Sequence, residues 1–149
     1  MDDKQKKKLE ALLEDRAKKM ENIRRFDEYF EKFSRLILKE VVQKVNSFLE
    51  SSTQENLKLL YDNPYHIQTS RYFVMLQMIY GIQYNSYYFN QSESYPSLIF
   101  EGDETTGKVK VSMKSKSSTT GKAEIDVSSL TDDKVFEIIV DFIEFATKH

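Results

Sequence analysis

The first 63 residues contain neither glycine nor proline, and that absence constrains the chain more than any other feature. Nothing there offers an easy left-handed backbone or a missing N–H to interrupt a helix. Apolar side chains recur at Leu9, Leu13, Ala17, Met20, Ile23, Phe26, Phe30, Phe33, Ile37, Val41, Val45 and Phe48. Eleven steps cover 39 residues, a mean spacing of about 3.5, nearer the coiled-coil repeat than the roughly 3.6 of a free helix. Charges of both signs fill the gaps, with Glu four places before Lys or Arg at Glu14 and Lys18, Glu21 and Arg25, and Glu28 and Lys32, an order that supports a solvated helix face.

A straight helix over Asp3 to Glu50 is roughly 70 Å long at about 1.5 Å per residue. The remaining residues, about 100, make a body with a radius of gyration of about 13 Å, about 35 Å across. Such a helix overhangs its own domain, so its apolar seam must fold back as a hairpin or be covered by another chain. Asn22 is the only residue within it that favours a break. The expectation is self-association, most simply a homodimer with twofold symmetry, through a seam that includes Leu9, Leu13, Met20, Ile23 and Phe30. The alternative is a hairpin or kinked helix packed within one chain.

Ser52-Thr53-Gln54-Glu55 has the Ser-x-x-Glu form that caps a helix start, predicting a short second helix over Thr53 to Tyr61 that Asn63-Pro64 ends. In Tyr72, Val74, Leu76, Met78, Tyr80, Ile82 and Tyr84 the even positions are all apolar, which predicts a strand pair bent near Gly81. Phe73, Met75 and Ile79 are apolar at the odd positions, so a buried helix between Ser70 and Gly81 is the alternative for residues 66–82. Ser97 to Glu101, Lys108 to Lys114 and Lys122 to Val127 are short and β-rich, separated by turn residues. Val109, Val111 and Met113 share one face and Lys108, Lys110, Ser112 and Lys114 the other, the pattern of a half-buried antiparallel strand. Thr131 caps a final helix with Asp132 and Asp133 in its first turn. That helix is apolar over an arc of about 220°, against about 100° for a single contact face, which predicts packing on the sheet with one side and on another helix with the other.

The resulting fold class is α+β. It has a long N-terminal helix over residues 1–50 and a 51–149 body of a short helix, an antiparallel β-meander of four to five strands and a C-terminal helix packed on the sheet, all one folding unit.

The chain has no cysteine and only two histidines, His66 and His149. Disulfides, thiolate metal sites and cysteine nucleophiles are excluded, and histidine-based metal sites or triads have little to build from. Gly102-Asp103-Glu104-Thr105-Thr106-Gly107-Lys108 matches the first seven places of a phosphate-binding P-loop. Val109 stands where a Mg²⁺-binding hydroxyl is required, however, and the context reads as a strand, so a hairpin turn is expected. Glu101, Asp103 and Glu104 lack the ligand spacing of a calcium loop. No catalytic residue, metal site or cofactor is assigned. No run of about 18 apolar residues exists and the charged N-terminus lacks a signal-peptide core, so a soluble cytoplasmic protein with no membrane association is expected.

The net charge of −2 hides a strong division: residues 106–123 carry five basic and no acidic side chains, and residues 124–149 carry two and seven. Eight of the nine tyrosines lie between Tyr61 and Tyr95. Tyr84, Tyr87 and Tyr88, with Lys110, Lys114 and Lys116, are the candidate partner-binding residues, because tyrosine offers contact area at low entropy cost. Basic side chains beside stacking rings also suit single-stranded nucleic acid, although lysines on a strand equally protect a sheet edge and the pI of about 5.8 is acidic. The preferred expectation is a non-enzymatic interaction or regulatory protein that self-associates through its N-terminal helix and presents a tyrosine-rich sheet surface to a protein partner. A nucleic-acid-binding accessory protein using the 108–122 lysines, and a small enzyme with a carboxylate site, are the alternatives.

Overall fold

A computed structural model describes residues 2–62, 70–80 and 95–149. The N-terminal helical run consists of α1 (Asp3–Arg24), α2 (Phe26–Lys32), a π-helical turn (Phe33–Ile37) and α3 (Leu38–Ser52). Asp2 caps α1 by accepting from the Gln5 N–H at 2.8 Å. The run breaks at Arg25, whose backbone leaves the helical region (φ −108°, ψ 26°), three residues beyond Asn22. Asn22 is 1% exposed. It donates to the Lys18 carbonyl at 2.8 Å and accepts from the Ser128 N–H at 2.9 Å.

Beyond the break the apolar seam is buried at Phe26, Phe30, Phe33, Leu38, Val41, Val42 and Val45. A constant spacing carries the seam from Phe33 to Ile37, but the buried residue is Leu38, with Ile37 half-buried. The π turn, in which the Leu38 N–H bonds back to the Phe33 carbonyl, absorbs one extra residue. It thereby keeps the phenylalanines before it and the valines after it on one face.

The expected short helix over Thr53 to Tyr61 is instead strand β1 (Glu55–Leu60). Ser51 and Thr53 hydroxyls donate to carbonyls at the end of α3, Ser51 to Ser47 at 3.2 Å and Thr53 to Leu49 at 3.3 Å, so these residues close a helix rather than open one. Gln54 then takes a left-handed backbone, φ 61°, and turns the chain into the sheet. Asn46 of α3 clamps β1 by accepting from the Leu57 N–H at 2.7 Å and donating to the Leu57 carbonyl at 3.2 Å.

The other strands are β2 (Phe73–Tyr80), β3 (Ser97–Asp103), β4 (Lys108–Lys114) and β5 (Ala123–Asp126). They form one antiparallel meander in the order β1-β2-β3-β4-β5. Residues 73–80 are therefore strand, not helix; the second half of the expected strand pair, beyond Gly81, lies outside the described residues. Leu57, Val74, Leu76, Met78, Leu98, Phe100, Val109 and Val111 face the helices and form one core with them. Phe73, Met75, Gln77 and Ile79, on the opposite face of β2, are also buried. Both parities of β2 are dry, which is why its sequence reads as apolar on both faces, Gln77 excepted.

A 3-10 turn (Val127–Ser129) leads to α4 (Asp132–Lys148), capped by Thr131, whose hydroxyl accepts from the Lys134 N–H at 3.4 Å. Val135, Ile138, Ile139 and Phe142 of α4 join the core, and α4 also packs against α3. The two covers do not use up its apolar arc, because Phe136 and Val140 remain 47% and 46% exposed.

Candidate functional site

Asp2 to Met20 are exposed without exception, so α1 neither folds back as a hairpin nor lies on the body. Its apolar side chains stand in one stripe, with Leu9 45%, Leu12 55%, Leu13 55% and Met20 53% exposed. Ile23 is half-buried at the root. Phe30 lies on the other side of the break and is 6% exposed, its ring 5.7 Å from Phe33 and 5.4 Å from Tyr72. Of the five seam candidates, Leu9, Leu13 and Met20 are available for contact, whereas Phe30 is core.

The root of α1 is held firmly. Arg25 donates to Glu21 at 3.2 Å and to Glu28 at 2.8 Å, straddling the break, and its guanidinium lies 5.0 Å from the Tyr29 ring centre. The bond from Arg25 holds the Glu21 carboxyl below its usual range, opposed by burial and aided by the bond from Arg24. Gly107 meets this joint from the hairpin side. It adopts φ +74°, a Cβ there would approach the Asn22 Cβ to 2.7 Å, and its carbonyl accepts from the Val127 N–H at 3.0 Å. The positive φ and the close approach to Asn22 each require glycine.

The P-loop-like heptapeptide is the β3–β4 hairpin, as the strand reading of Lys108 onward requires. Asp103 caps the turn, accepting from the Thr105 N–H at 3.0 Å and hydroxyl at 2.6 Å. Those Thr105 bonds are the main reason the Asp103 carboxyl sits below its usual range. Gly102 is needed because a Cβ would come within 2.7 Å of both Phe26 Cζ and Tyr72 Cβ.

The structure brings together one polar cluster to which no sequence motif points. The Tyr72 hydroxyl donates to the Asp27 carboxylate and accepts from Arg71 Nη2 at 2.5 Å. Arg71 also reaches Glu104 at 3.3 Å. Burial, then the bond donated to Asp27, pushes the Tyr72 phenol above its usual range. These four residues join α2, the start of β2 and the β3–β4 hairpin across 77 positions of sequence, from Asp27 to Glu104. No local spacing could reveal them. The Arg71–Tyr72 pair separates two clefts. One, of about 320 Å³, is lined by Glu101, Asp103, Glu104, Lys110 and Lys122; the other, of about 410 Å³, by Asp27, Glu31, Arg35 and Tyr61. Both mix charges of opposite sign, with Lys122 paired to Glu101 at 3.3 Å.

Lys110 is half-buried, and Lys114 and Lys116 are exposed. Lys110 stands opposite Glu101 on one side and Glu124 on the other, and Lys108 opposite Asp103 and Asp126. Two lysines of the basic run thus face acids across the strands, whereas Lys114 stands opposite Ser97. Tyr84, Tyr87, Tyr88 and His66 lie outside the described residues. His149 rests with its ring 4.9 Å from Phe145. Among the described residues no group of three His, Asp or Glu side chains converges to hold a metal ion, and no helix is long and apolar enough to cross a membrane. Comparison of the chain with protein-family models, curated proteins and solved structures finds no match.

Proposed function

We propose that this chain is a non-enzymatic interaction protein that self-associates through α1 and offers its remaining surface, including the tyrosine-rich segment around Tyr84, Tyr87 and Tyr88, to a protein partner. The observation that carries this reading is the exposed stripe of Leu9, Leu12, Leu13 and Met20 on a helix with no buried residue before Asn22. Most helical stability in proteins comes from covering an apolar face rather than from helix propensity. Covering four such side chains by another chain is favourable at about 25 cal/mol per Å² of apolar surface. Acids opposite Lys108 and Lys110 interrupt the positive strip that a nucleic-acid surface needs, which favours a protein partner.

The test is the mass of the full chain by sedimentation equilibrium. Twice the 17.6 kDa of one chain is expected, and Leu9→Glu with Leu13→Glu should return the mass to that of one chain while far-UV circular dichroism still reports a folded body. A wild-type chain that stays monomeric at high micromolar concentration overturns self-association.

A further inference from the structure

We propose that the surface receiving α1 is the outer face of α4 on a second copy of the chain. The inference rests on self-association through α1 and names the acceptor. Among the described residues the two longest helices each show an exposed apolar stripe, one on α1 and one on α4, where Phe136 and Val140 stand 47% and 46% exposed with Ile143 half-buried beside them, whereas Leu36 and Phe48 are exposed singly on the π turn and α3. The stripe on α4 is what remains after the sheet and α3 have covered its other side. The two helices have comparable reach: the exposed part of α1, Asp3 to Met20, and α4, Asp132 to Lys148, are each about 26 Å long at 1.5 Å per residue.

Charge decides between the possible pairings. Helix α1 carries eight basic and five acidic side chains, and α4 carries two and five. Spacing at about 100° per residue places Lys6 and Lys8 on either flank of the α1 stripe, with Lys19 beside Lys8 and Arg16 within the stripe. Its acids lie outside these lysines, Asp15 about 20° beyond Lys8 and Glu10 about 40° beyond Lys6, with Asp3, Glu14 and Glu21 farther round. The same spacing places Asp133 and Glu144 along one flank of Phe136 and Val140, and Asp132 on the other. A basic-rimmed stripe laid on an acid-rimmed stripe gains from both terms, whereas α1 against α1 sets like rims together. A twofold axis makes the contact reciprocal, so each α1 covers the α4 of its partner and the assembly closes at two chains.

The test uses three full-length variants, each checked by circular dichroism. Lys8→Glu with Lys19→Glu, and separately Asp133→Lys with Glu144→Lys, should each raise the dimer dissociation constant about ten-fold or more. Their combination in one chain should restore affinity to within about three-fold of wild type, since all four exchanged charges meet again across the interface. Restoration supports α4 as the acceptor. A dimer that the α1 pair weakens, that the α4 pair leaves unchanged and that the combination does not restore overturns α4 while leaving self-association through α1 standing. A wild-type chain that is monomeric overturns both.

Discussion

One periodic seam runs from Leu9 to Val45, and its two halves meet opposite fates. Phe26, Phe30 and Phe33 are sealed against Tyr72 and Phe100, with Phe33 1% exposed and its ring 5.0 Å from Phe100. Leu13 and Met20, on the same spacing, are more than half exposed. The break at Arg25 separates them. Periodicity determines which side chains share a face; it carries no information about what that face touches. The difference teaches that a seam too long for its own body divides at the point where the body ends, and here a buried asparagine marks that point.

The largest expected effect breaks the two halves apart directly. Phe30→Ala should cost about 3–5 kcal/mol of folding stability, as large-to-small changes in a packed aromatic core do. Leu13→Ala should change the urea midpoint of a dilute, monomeric sample by less than about 0.5 kcal/mol equivalent. Similar costs at the two sites would show that α1 is packed within its own chain.

The joint between the halves gives the next effect. Asn22→Ala removes the acceptor of the Ser128 N–H and the bond to Lys18, and leaving a buried donor unsatisfied should cost about 1–3 kcal/mol. Amide exchange should quicken at Ser128 and through the last turn of α1, where Arg25 and Glu21 meet, more than in β2. Uniform loss of protection would show that Asn22 supports the whole core and not a joint.

The smallest effect sharpens the buried half and depends on pH. The Tyr72 phenol is raised above its ordinary value of about 10, so the unfolded chain ionises first. Its contribution is complete below that value and is lost as pH rises through the higher folded value. Above pH ~10 the wild type should lose stability more steeply than Tyr72→Phe; parallel slopes by chemical denaturation would show that the phenol titrates normally.

Much of the fold was legible in the residues themselves. β4 and α4 announce themselves through strict alternation and through Thr131 with two aspartates, and the meander follows from short β-rich runs between turns. Thr53 to Tyr61 reads as a helix because Ser52 and Glu55 carry the form of a helix start, while the decisive facts, Asn46 clamping Leu57 and Gln54 in a left-handed backbone, belong to tertiary contact and to a conformation that residues other than glycine resist. The π turn was hidden because one inserted residue looks like noise in a spacing near 3.5. The stripe at Leu9, Leu13 and Met20 is legible; the same spacing places Phe30 on it because nothing in the spacing says where the body begins. The cluster of Asp27, Arg71, Tyr72 and Glu104 was illegible, being assembled from three distant segments.

The most direct measurement is hydrogen exchange at individual amides, followed as a function of protein concentration. If a second copy covers α1, protection at Leu9 to Met20 rises with concentration through the dissociation constant, while protection at Phe26 to Val45 and in β2 stays constant. Fast exchange at Leu9 to Met20 at every concentration, or protection there that does not depend on concentration, would contradict the account.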